Sequence, residues 1–349
     1  MKLQILLLSS VFLFSACGAP AESDISDTPS SVEETVKIVF AADFATGEGC
    51  ATHKSGGCDL YTAEIDMEGN VTDVQRLTNE ADSEVFPVFS IDGETVYANR
   101  VADDGHTDIE WVSVEDGSSG ILMKDAVGPA PLPDGNSLVY LSNPGFKITL
   151  ADFLSPSSLD VPQIFEELAG YHEPHSSAEG KVVFYRLFGQ GRGSNTAMAA
   201  VFDAQTLEAQ DLTSKDGTAH CFWNGTGTAI VCNNTDLYHG PFSIPLDSEP
   251  GDSYSLLLKH PSVSEISALD EDFGACKHIS YTYGNFCDES HLLIGLNCDL
   301  EENGVTDTFM SKLALVDFSA SPASVVVVGD KLAEAYGGEG VSSFSVDCQ

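Results

Sequence analysis

The stretch Pro87-Val-Phe-Ser-Ile-Asp92-Gly93-Glu-Thr-Val-Tyr97 decides the fold. It reads as a short apolar strand, a tight Asp-Gly turn and a second strand, which is the composition of a β-hairpin. Pro131-Leu-Pro-Asp134-Gly135-Asn-Ser-Leu-Val-Tyr140 repeats it, the turn glycine falling 42 residues later. Ser177-Ala-Glu179-Gly180-Lys-Val-Val-Phe-Tyr185 follows after 45 more, and Trp223-Asn-Gly-Thr226-Gly227-Thr-Ala-Ile-Val-Cys232 after another 47. A fifth copy, Phe286-Cys-Asp288-Glu289-Ser-His-Leu-Leu-Ile294, puts Glu where the glycine stood, 62 residues on. A period near 45 residues marks a stacked or radially repeated architecture.

Further strand-like runs lie between the hairpins. Asp59–Ile65 precedes Val74–Thr78, Asp108–Val114 and Met198–Phe202 hold the same slot in their repeats, and Leu313–Val316 precedes Ser324–Val328. Each repeat thus carries about four short strands, the content of a propeller blade. Helical periodicity is confined to single turns at Gln163–Leu168 and Asp330–Ala335. At the ends, Val36–Phe40 reads as the second strand of a hairpin lacking its first, while Phe344-Ser-Val-Asp347 repeats Phe89-Ser-Ile-Asp92, a first strand lacking its second. The expected fold is an all-β, six-bladed β-propeller of four-stranded blades, its ring closed by pairing of the N- and C-terminal strands.

The Pro-x-Phe-Ser-x-Asp-Gly hairpin, with Gln75-Arg-Leu-Thr-Asn79 ahead of it, resembles the WD40-like repeats of TolB-type propellers. The resemblance spans about residues 36 to 349, and it implies a β-propeller of the bacterial envelope. TolB's additional N-terminal domain has no counterpart among these residues, so its partnership with peptidoglycan-associated lipoprotein does not carry over.

The N-terminus predicts export. Met1-Lys2 supplies positive charge, and Leu3–Phe14 is nearly all apolar but shorter than the roughly 20 residues a membrane-spanning helix needs. Phe14-Ser15-Ala16-Cys17 resembles the lipobox of bacterial lipoproteins, in which the cysteine is lipidated; that family usually has Leu where Phe14 stands. Gly18 is not the Asp that resembles an inner-membrane retention signal, so the outer membrane is the expected destination. Residues 1–16 are therefore expected to be a signal peptide, 17–35 a lipidated, disordered acidic tether, and 36–349 the propeller. The tether is too polar to offset its own ordering entropy.

Formal net charge is −39, from 54 acidic and 15 basic residues. Such a chain is a poor partner for nucleic acid, whose binders need Lys and Arg against phosphate. Beyond Cys17 there are eight cysteines, an even number that suits disulfides in an oxidising compartment, and no C-x₂-C zinc spacing occurs. Cys50–Cys58 brackets a Gly-rich loop and Cys221–Cys232 flanks a hairpin turn; the pairing of Cys276, Cys287, Cys298 and Cys348 stays open.

Neither G-x-S-x-G nor H-E-x-x-H is present, and Phe188-Gly-Gln-Gly-Arg-Gly193 opens no helix after a strand, so no catalytic residue is assigned. Asp299, Glu301, Asn303 and Asp307, around Gly304, partly fit a calcium loop, although Met310 stands where the final Glu belongs. Aligning the turn glycines puts Glu84, His172, Glu173, His220, Tyr283 and Glu339 ahead of the first strands, where a propeller's channel opens. This set could hold calcium, manganese or zinc, or a polar ligand, with His172 and His220 as equivalents in consecutive blades. A similar histidine-lined channel carries metal in propeller-type oligogalacturonate lyases. The leading expectation is a tethered binding or scaffold module for a protein, peptide or glycan. The alternative is a metal-assisted polysaccharide lyase or hydrolase working in the funnel.

Overall fold

A computed structural model describes residues 35–44, 57–142, 147–152, 159–160, 169–188, 197–214, 218–234, 241–249, 254–259, 262–299, 309–337 and 346–349. The signal peptide, Cys17, the tether up to Glu34, Glu339 and the 301–308 part of the calcium-like loop lie outside them, and of Asp299 only the backbone is described; Thr35, expected in the tether, opens the first strand. The turn expected at Gln163–Leu168 also lies outside.

The described strands form six four-stranded antiparallel sheets. Blade 1 orders Val346–Cys348, Thr35–Ala42, Asp59–Asp66 and Val71–Arg76; blade 2 is Ser83–Phe89, Thr95–Val101, Thr107–Ser113 and Ser119–Met123. The inner strands of blades 3 to 6 are Ala126–Pro131, Ala169–Ser176, Thr218–Trp223 and His278–Phe286. The C-terminal strand pairs with the N-terminal one, Val346 opposite Phe40 and Cys348 opposite Ile38.

Both faces of a blade pack on neighbours, so middle strands are apolar on successive residues instead of alternating; Val182-Val183-Phe184-Tyr185 is buried throughout. Apolar clusters fill each gap between consecutive blades, for example Ile109 against Ala126, Leu138 and Tyr140 between blades 2 and 3. Another joins Ile38, Phe40 and Ala63 of blade 1 to Leu293, Leu313 and Leu315 of blade 6. Outer strands turn polar, Val71–Arg76 being largely exposed, which blunts them as edges.

The turn chemistry is as the repeat implies. Gly93 and Gly135 adopt φ +69° and +67°, a region glycine enters at no steric cost. Asp92 and Asp134 accept backbone N–H groups of the following strand, Asp134 from Asn136 and Ser137 at 2.9 and 2.8 Å. Asp288 caps the fifth hairpin in the same way, accepting from His291 N–H at 2.8 Å. Glu289, which stands where the glycine would, does not adopt positive φ.

One regularity escapes sequence reading. Each inner strand of blades 2 to 6 carries a β-bulge, between Val85/Val88, Val127/Ala130, His172/His175, Ala219/Phe222 and Tyr281/Gly284. Phe86, Gly128 and His220 open theirs at φ +54°, +67° and +50°. The bulge frees backbone groups that neighbouring blades satisfy. Asn99 of blade 2 accepts from Gly128 N–H of blade 3 at 2.8 Å, and Trp223 of blade 5 donates to the His175 carbonyl of blade 4 at 2.9 Å.

Gly128 also abuts blade 4: a Cβ there would lie 2.5 Å from Pro174 Cδ, whereas Gly135, with the same φ, has nothing within 4 Å. Gly128→Ala is therefore expected to destabilise by about 2–3 kcal/mol and Gly135→Ala by only about 1. Chemical denaturation of both variants measures the difference; equal losses would mean that only φ matters.

Disulfides Cys221–Cys232, Cys276–Cys298 and Cys287–Cys348 are formed, the last joining blade 6 to the C-terminal strand. Cys58 is disulfide-bonded too, and its expected partner Cys50 lies outside the described residues.

Candidate functional site

The residues expected at the funnel do not behave as one set. Glu84 is wholly buried between blades 1 and 2, its carboxylate accepting from the Thr78 hydroxyl at 3.0 Å. It is thus withdrawn from any open channel. Its backbone N–H donates to the Cys58 carbonyl at 3.0 Å, which fixes that placement. His172 and His220 are not equivalent either. His172 closes the ladder ahead of its bulge as Ala219 does, so the counterpart of His220 is Glu173. The one-residue slip matters because consecutive strand residues face opposite ways. His220 is half-buried and stands edge-on to the Tyr185 ring at 5.5 Å. His172, Glu173 and Tyr283 lie within the inner strands, at or beside the bulges, but their side chains lie outside the described set.

Among the described residues, one group of carboxylates is close enough for a metal: Asp270, Asp272 and Asp330. A lysine already fills it. Lys312 Nζ donates to Asp270 at 2.7 Å, Asp272 at 2.8 Å and Asp330 at 2.7 Å, with the Phe273 ring 6.0 Å away. Burial pushes this ammonium down, and the hydrogen bonds to the three aspartates more than reverse it, holding its pKa above the usual lysine value. The cage joins the Glu271–Ala275 turn, the third strand of blade 6 and the helix Gly329–Tyr336. Met310-Ser-Lys312-Leu-Ala-Leu-Val316 was the signal: a lone lysine in an apolar strand of a chain with few basic residues.

An open concavity among the described residues lies elsewhere. A cleft of about 680 Å³ runs along the seam between blades 1 and 2, lined by Lys37, Glu64, Asp73, Gln75, Glu94 and Glu115 among others. Its acids come from a middle strand, an outer strand and two turns, so no sequence spacing brings them together. At the other end of the same seam, Asp59 pairs with Arg76 at 2.5 Å and Asp82 with Arg100 at 2.7 Å, beside buried Glu84 and Glu110.

The overall fold is similar to that of solved propellers. TolB from Acinetobacter baumannii superposes with a TM-score of 0.60 at 12% identity, over 90% of this chain and 66% of that one. The chain has the TolB-like propeller fold. A putative TolB from Agrobacterium tumefaciens gives 0.53 at 12% identity, covering 84% and 88% of the two chains. An oligogalacturonate lyase in complex with manganese gives 0.50 at 12% identity, covering 84% and 73%. At this identity the likeness is one of fold, and a fold hosts many functions. No protein-family model and no curated protein matches the sequence. No helix among the described residues of this TolB-like propeller is long and apolar enough to cross a membrane.

Proposed function

We propose that the chain is an envelope lipoprotein held to the outer membrane through lipidated Cys17, whose six-bladed ring, closed by its own two ends, is a binding or scaffold module for a protein, peptide or glycan. The observation that carries this reading is the cleft between blades 1 and 2. It stays open, whereas two other charged clusters are spent on the fold: Glu84 is buried and Lys312 occupies the one carboxylate cage among the described residues. Four acids against one lysine favour a partner that offers amines or hydroxyls.

A photo-crosslinking residue at Glu94 or Glu115 is expected to capture a partner that the same residue at exposed Glu208 does not. On a glycan array, Glu64→Gln/Glu94→Gln/Glu115→Gln is expected to lose any signal the parent gives. Identical crosslinks from Glu208 and the cleft, with an unchanged array profile, would refute the module. Anchoring has its own test: Cys17→Ser should leave the protein unprocessed or shift it out of the membrane fraction, and unchanged partition with a normal mature mass would overturn the lipid anchor.

The lyase alternative rests on the likeness to the manganese-bound lyase and on His172, Glu173, His220, Tyr283 and Glu339 as ligands. Calcium, manganese or zinc in stoichiometric amount in the purified protein would favour it.

A further inference from the structure

The seam between blades 1 and 2 is open at one end and sealed at the other. In the sealed end, Glu84 and Glu110 are both fully buried. Glu84 Oε2 has the Thr78 hydroxyl, but Glu84 Oε1 and both Glu110 oxygens have no hydrogen-bond partner. The nearby arginines are already committed. Arg76 belongs to Asp59 at 2.5 Å, and Arg100 to Asp82 at 2.7 Å, reaching Glu110 only at 3.8 Å. Glu80, on the link between the blades, adds a further negative charge towards Glu110. Two carboxyls are thus enclosed without a counter-charge of their own. An uncompensated buried charge costs several kcal/mol, and a carboxyl escapes that cost by keeping its proton.

We propose that Glu84 and Glu110 form a proton-storing pair that locks the seam between blades 1 and 2, and that its ionisation loosens this seam alone. Burial and then the neighbouring Glu110 push the Glu84 carboxyl up to about 8. Burial, partly offset by Arg100, pushes Glu110 up to about 7. Both folded-state values exceed that of the unfolded chain, near 4.3, so the folded seam holds the extra protons. The stability they contribute is complete below the unfolded value, declines as pH rises, and is gone once pH passes the folded values. Because the two charges interact, they titrate as a pair.

The test is hydrogen exchange of the full chain between pH 6 and 9, corrected for intrinsic base catalysis, with and without added calcium. Strand Ser83–Phe89 is compared with Lys181–Phe188 of blade 4 as an internal reference. Protection of the seam strand is expected to fall relative to the reference, by up to about a thousandfold where the opening frees both carboxyls. Glu84→Gln/Glu110→Gln, or either single change if the pair does not fold, should remove that fall. A fall that persists in the glutamine variants overturns the proposal, as does the absence of any fall in the parent. Calcium protecting the parent at pH 9 but not the variants also overturns it, by assigning the carboxyls to a bound cation.

Discussion

Deleting Ser343–Gln349 is expected to abolish cooperative unfolding, whereas deleting the equally long Glu22–Thr28 should leave the melting curve unchanged. The last strand is held by four independent means. It pairs with Ile38–Phe40, and Val346 sits in the core shared by blades 1 and 6. Buried Asp347 accepts from Phe89 N–H of blade 2 at 2.7 Å and from the Asn285 side chain of blade 6. Cys348 is bonded to Cys287 across a sequence separation of 61. Closing a loop of that length is worth about 4 kcal/mol in the chain-entropy account. Whole domains are stable by roughly 5–15 kcal/mol, so losing all four contributions leaves little. Cys348→Ser separates the covalent share, since it keeps the strand and should lower stability without erasing the transition. Calorimetry of the three variants checks this, and two truncations that melt alike would mean that blade 1 does not depend on the C-terminal strand.

Lys312→Met should be the most damaging single substitution outside the disulfides. Methionine fills a similar volume but leaves three aspartates converging on an apolar side chain. Asp270, with a side chain only 5% exposed, cannot turn to water, whereas Asp272 and Asp330 are more than half exposed and can relax. Removing one partner of a buried pair typically costs 3–5 kcal/mol; with two of the three acids wet, the lower end, about 3, is expected here. Denaturant titration measures it. Added calcium should recover part of the loss in this variant and do nothing comparable to the parent, because the vacated cage has carboxylates spaced for a cation. A loss under about 1 kcal/mol, the range of ordinary surface ion pairs, would mean that the cage is only a surface network.

The blades were legible because their signals are local. Asp-Gly turns between short apolar runs, repeated at a near-constant period, specify hairpins whatever surrounds them, and the odd strands at Val36 and Phe344 pointed to each other. The helix at Gly329–Tyr336 was visible for the same reason. The site was less legible because it depends on which way a side chain faces. Each bulge sits at the same distance from its turn glycine, so the count already parts the two histidines: His172 lies eight residues before Gly180, His220 seven before Gly227, and a slip of one residue matched His172 to the wrong partner. Glu84 looked like a channel ligand because an acid at a strand start usually meets solvent; only the packing of blade 1 against it shows otherwise. Glu110, an acid inside Asp108-Ile-Glu-Trp-Val112, carried a readable hint, but its relation to Glu84 crosses strands that sequence spacing does not order.

Thr35–Ala42 has a strand on each side, Asp59–Asp66 along its whole length and Val346–Cys348 at its middle. A pull delivered through the chain ahead of Thr35 therefore loads both ladders along their length, so many hydrogen bonds must give way together. An edge strand in the same place would peel open one bond at a time. The point where the chain enters the domain is in this sense its mechanically strongest grip, and resistance to force there is governed by the unfolding rate more than by equilibrium stability.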